Sequence, residues 1–119
     1  MLVTLNIGLS GPSGLIPVTK AIDALLLEGF WIKIDSRAVV NSDTEPTLVV
    51  TVSKEGNLGS FDAICRVSAA LEQDCIAVWD GMWQKGYLLG PRAAAWGKFN
   101  PEFFFLKNGA RLKSSELVK

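Results

Sequence analysis

The chain has 119 residues, 49% of them hydrophobic and 20% charged, with zero net charge and a mean hydropathy of +0.27. That length suits one domain with one core, and so apolar a composition excludes disorder as the main state. There is no histidine, which removes Ser-His-Asp and Cys-His catalysis, histidine acid–base chemistry and histidine-ligated zinc within one chain.

Leu2 to Ile7 alternates, with Val3, Leu5 and Ile7 on one face and Thr4 and Asn6 on the other. This is the period of a half-buried strand. Met1 opens directly on that strand pattern, without a basic or apolar leader, and predicts a cytoplasmic protein. Gly8 to Gly14 is rich in glycine, serine and proline and predicts a loop. It lies between a strand and a helix start, where backbone N–H groups can face an anion. Ser10, Gly11 and Ser13 are therefore candidate binding residues, although the loop lacks both the Walker A and the G-x-G-x-x-G spacing. A sharp connection with no ligand would use the same residues.

Pro17 suits the first position of a helix, Val18, Ala21, Ile22, Leu25 and Leu26 form its apolar stripe, and Gly29 stops it. Phe30 to Val40 returns to strand character, with Trp31, Lys33, Asp35 and Arg37 on one face. A polar turn over Asn41–Pro46 follows. Thr47 to Val52 is the clearest strand, β-branched at five of six positions. Ser60 reads as the N-cap of a second helix, with Asp62 in its first turn and a buried stripe of Phe61, Ile64, Cys65, Ser68 and Leu71. Cys75 to Trp79 is a fourth strand, Asp80-Gly81 a hairpin turn signal, and Met82 to Leu89 a fifth strand.

The order β-α-β-β-α-β-β predicts an α+β, ferredoxin-like fold, with an antiparallel-rich sheet and both helices on one face. The other face then needs a cover. Residues 1–106 make the single domain and 107–119 a polar tail. Cys65 and Cys75 are too sparse for a disulfide framework and are expected as small buried hydrophobes. No metal or other cofactor is expected. No apolar run approaches the ~20 residues that span a bilayer, so no membrane association is expected.

Eight of the 11 aromatic residues fall between Trp79 and Phe105. Residues 81–119 also carry seven basic and two acidic side chains, against five and ten in residues 1–80. Pro91 opens a short helical turn through Arg92 and Trp96, and Asn100-Pro101 looks like a second start. Under a packing role, Trp96, Phe99, Phe103 and Phe105 cover the open sheet face. Under a binding role, Arg92, Lys98 and Asn100 supply polar bonds while Trp96 or Phe99 stacks on a partner. Phe103, Phe104 and Phe105 cannot all point inward, which makes them the first choice for an oligomer interface.

Gln73-Asp74-Cys75-Ile76-Ala77-Val78, Gly90-Pro91-Arg92-Ala93 and Trp96-Gly97-Lys98-Phe99-Asn100-Pro101-Glu102-Phe103-Phe104 resemble small proteins carried by bacteriophages and prophages. The resemblance covers the C-terminal third and implies a cytoplasmic protein that binds host or phage components. The expectation is a non-catalytic, homodimeric binding protein that recognises a host protein or an anionic small ligand. A nucleic-acid partner is not the expectation, although the uneven placement of charge can mark such a surface. The alternatives are a small enzyme acting on a phosphorylated or nucleotide substrate and a structural protein of a virion.

Overall fold

The computed structural model describes residues 2–33, 36–41, 46–55 and 60–96, with backbone only at Asn41 and Trp96. Strand β1 (Leu2–Gly8) lies at the centre, bonded antiparallel on one side to β6 (Pro46–Ser53) and on the other to β7 (Ile76–Asp80). Beyond β6 lie β4 (Trp31–Ile32) and β5 (Ala38–Asn41). Beyond β7 lies β8 (Lys85–Leu89). Every neighbouring pair is antiparallel. The molecule is an α+β fold.

Alternation along β1 decides which side chains meet. Leu5 is in register with Val50 and Val78, and Val78 with Tyr87. This row faces helices α1 (Val18–Leu27) and α2 (Ser60–Ala70). The core joins Val3, Leu5 and Ile7 to Leu48, Val50 and Val52, to Ile76 and Val78, and to Ala21, Leu25, Ile64 and Val67 of the helices. Removing a fully buried leucine such as Leu5 or Leu25 from such a core costs about 2–5 kcal/mol. The Phe61 ring tilts against Tyr87 with centroids 4.8 Å apart and ties α2 to β8. No described helix is long and apolar enough to cross a membrane.

Several elements differ from the sequence expectation, each for a local reason. The segment Phe30–Val40 is not one strand, since β4 ends at Ile32 and β5 begins at Ala38. Ser36 accounts for the break. Its hydroxyl donates to the Lys33 carbonyl at 2.6 Å and accepts the Thr51 N–H at 2.9 Å, so a side chain stands where a backbone acceptor would continue the ladder. In α2, Ala63 and Val67 take the buried positions expected for Phe61 and Cys65. Phe61 instead leans outward to Tyr87. In α1, Leu26 is exposed rather than buried. The β7–β8 connection is a four-residue turn, Gly81 to Gln84, not a tight Asp-Gly turn. The Asp80 carboxylate accepts the N–H groups of Met82 (3.1 Å) and Trp83 (3.3 Å), and Gln84 adopts φ 53° to re-enter the sheet. The glycine-rich loop carries a short hairpin, β2 (Ser10–Gly11) with β3 (Gly14–Leu15).

Gly90 ends β8 in a place with no room for a side chain. A Cβ there would lie 2.5 Å from the Asp74 carbonyl oxygen, 2.6 Å from the Cys75 Cα and 2.6 Å from the Ser68 Oγ. Two of these are backbone atoms and cannot swing away. Gly14 differs, with φ +105° but nothing within 4 Å of the added carbon. Gly90→Ala should lower the unfolding free energy by about 2–3 kcal/mol, and Gly14→Ala by about 1–2 kcal/mol from backbone strain alone. Urea denaturation of both variants checks the order, and a Gly90→Ala protein as stable as the parent would contradict this packing.

Candidate functional site

The N-terminal loop is tied to the end of α2. Gln73, itself buried, donates from Nε2 to the Ser10 carbonyl at 2.8 Å and to the Leu71 carbonyl at 3.3 Å. Ser13 donates its hydroxyl to both Glu72 carboxylate oxygens, at 3.0 and 3.2 Å. Gly11 sits against Glu72, where an added Cβ would meet the Glu72 carbonyl oxygen at 3.5 Å. The cleft beside the hairpin holds about 120 Å3 and is lined by Gly11, Ser13, Lys20 and Glu72 among others. An anion placed there would face the Glu72 carboxylate as well as Lys20, so Ser10, Gly11 and Ser13 are brought together in a fastening rather than a phosphate cradle.

Arg92 is engaged in a similar way. Its Nε lies 2.6 Å from the Asp74 carboxylate, and its backbone N–H donates to the Asp74 carbonyl at 2.9 Å. This holds the 3-10 turn Ala93–Trp96 beside the start of β7. Both partners are largely exposed, so the ion pair itself contributes little. Trp96 closes the turn. Lys98, Phe99, Asn100, Phe103, Phe104 and Phe105 lie outside the described residues.

The sheet face away from the helices is divided. Towards the end of the sheet at Gly8, Thr47 and Ile76 (the upper end), Asn6, Thr47, Val49 and Ala77 are buried to 5, 0, 5 and 3% exposure. Val49 and Ala77 flank Asn6 in register and stand apart from the core cluster. Towards the lower end, at Leu2, Ser53 and Asp80, the same face opens into a cleft of about 700 Å3 lined by Leu2, Thr4, Thr51, Trp79, Met82 and Trp83. The Thr4 and Thr51 hydroxyls meet across the strands at 3.2 Å. Trp31, in register with Ser53, stands on this face at 73% exposure, with Leu2 (62%), Met82 (86%) and Trp83 (70%). Leu2, Met82 and Trp83 line one cleft and so form a patch, unlike an isolated surface leucine, and Trp31 is exposed on the same face at β4.

A second apolar surface lies on the helix side. A groove of about 530 Å3 runs between α1 and β4, lined by Ile22, Leu26, Phe30, Trp31, Ile32 and Arg37 along with Gly29. Lys54 closes one end of α1, donating to the Glu28 carbonyl at 2.8 Å and lying 5.7 Å over the Phe30 ring. Nearby, Arg66 bonds Glu28 at 2.8 Å and holds that carboxyl below its ordinary 4.5. Sequence reading missed this groove. Its α1 residues, Ile22 and Leu26, were assigned to the buried stripe, so no sequence signal marked them as a surface.

Among the described residues, no three histidine, cysteine, aspartate or glutamate side chains converge as a metal site. Compared with protein-family models, with curated proteins and with solved structures, the chain matches none of them.

The thiols of Cys65 and Cys75 are free and half-buried. Burial, reinforced by the Asp74 charge, pushes the Cys75 thiol from 9.0 up to about 11. Burial and Asp62 also raise Cys65. The folded state thus keeps the neutral thiol at pH values where the unfolded chain loses its proton. That preference for the folded state is complete below pH 9.0 and is lost as pH rises through about 11. Thiolate absorbance of a Cys65→Ser variant should titrate near pH 11 in buffer and near 9 in denaturant. A native midpoint below 9 would contradict this environment.

Proposed function

We propose that the chain is a small, non-catalytic binding protein of phage origin, with a ferredoxin-like core, that presents the lower half of its open sheet face to a protein partner, a second copy of itself first. The single observation that carries this reading is the cluster of exposed Leu2, Met82 and Trp83 around the open cleft, with Trp31 exposed on the same face at β4. Exposed tryptophan and methionine of this kind are what protein interfaces concentrate at their centres. An antiparallel strand order of β5-β6-β1-β7, with a crossover helix after β1 and after β6, supports the ferredoxin-like class. The resemblance of the C-terminal third to phage proteins supports the origin.

Asn6, Thr47, Val49 and Ala77 are buried on the side away from the helices, at the end of the sheet where the chain leaves through Trp96. Residues 97–119 continue from that point.

Sedimentation equilibrium over a wide concentration range tests the self-association. The parent protein should dimerise, and Trp31→Ser combined with Trp83→Ser should weaken the dimer at least about tenfold while leaving the circular dichroism unchanged. A parent monomeric throughout, or a dimer indifferent to the double substitution, would overturn the assignment of this face.

A further inference from the structure

Arg37 is exceptional among the described arginines. Arg66 pairs with Glu28 and Arg92 with Asp74, each through a short charge-assisted bond. No described carboxylate pairs with Arg37, yet it lines the groove between α1 and β4. Every other residue of that lining is apolar or glycine. Ile22 and Ile32 are half-buried against the core, Phe30 is buried, and Leu26 is exposed along the rim. Ile32 is in register with Val52, which places the groove on the helix side of the sheet. A guanidinium beside an apolar trough is complementary to a ligand that is apolar along its length and carries one planar anion at its end.

We infer that this groove binds an amphiphilic carboxylate, a fatty or aromatic acid, with its apolar body along Ile22, Leu26, Phe30 and Ile32 and its carboxylate on Arg37. The volume of about 530 Å3 lies within the range of roughly 300–1,000 Å3 that small-ligand sites occupy. Carboxylate matches the planar fork of arginine, which can donate two parallel N–H bonds to its two oxygens. A cationic amphiphile would meet Arg37 with like charge, and a neutral alcohol would offer the guanidinium no charge of opposite sign. The glycine-rich loop is a poorer home for an anion, because Glu72 already places a carboxylate in its cleft. The inference does not rest on self-association: Trp31 is shared with the open face, but the Arg37→Gln and Leu26→Asn variants that test the groove leave it in place.

The test is calorimetric titration of the full chain with sodium decanoate below its micelle concentration, with decanol and a decyl trimethylammonium salt as comparisons. Decanoate should bind at least about tenfold more tightly than either. Arg37→Gln, an exposed position that should not disturb folding, should erase the preference over decanol. Leu26→Asn should weaken decanoate and decanol alike. Amide shifts on binding should centre on Phe30 to Ile32. Equal affinity for decanoate and decanol, an Arg37→Gln protein that keeps the preference, shifts centred elsewhere, or no decanoate binding would each overturn the proposal. So would a groove that takes an acidic amphipathic peptide but not decanoate, because the occupant would then be a protein segment. Failure of these titrations with an intact dimer, or the reverse, tells the two readings apart.

Discussion

Strand β1 is the constraint on which the rest depends. It is bonded along both edges, so its alternation is imposed on β6 and β7 together. Leu5 can meet Val50 and Val78 only in one register, and a slip by one residue would turn Val3, Leu5 and Ile7 out of the core. Both helices must then pack where those side chains point. The open face, with its two differently buried halves, is the necessary reverse side of that choice.

The upper end of the sheet is where the chain fastens itself. Gln73 holds the N-terminal hairpin, Ser13 bonds Glu72, Arg92 bonds Asp74, and Gly90 passes close over the turn that follows α2. These bonds occupy the polar groups that a sequence reading would assign to ligand binding. At the lower end large apolar groups are exposed, and along the α1–β4 groove every lining residue but Arg37 is apolar or glycine. The proposed recognition therefore falls on the surfaces that the fastening leaves unused.

The strands and helices were legible where period and burial agree. β1, β6 and α1 followed from alternation, β-branching and a proline–glycine bracket. Boundaries failed where a single side chain competed with backbone. Ser36 broke one strand into two by taking the Thr51 N–H, and Asp80 widened a turn by accepting two amides. The α2 stripe was displaced by two positions, from Phe61 and Cys65 to Ala63 and Val67, and Phe61 packs on Tyr87 instead. The candidate site was less legible than the fold. Ser13 and Arg92 drew attention by residue type, but their partners Glu72 and Asp74 are 59 and 18 residues away in the chain.

By itself, the sequence determined the α+β class, the order of its main elements and the absence of any histidine chemistry. Those follow from local periodicity and residue type, which need no knowledge of distant neighbours. Only the tertiary structure decided that Arg92 and Ser13 are paired, that Arg37 stands without a described carboxylate, and that one half of the sheet face is buried while the other is exposed. Each of these depends on which groups meet across long chain separations. Pairing and burial are properties of the assembled sheet and helices, and no local pattern encodes them.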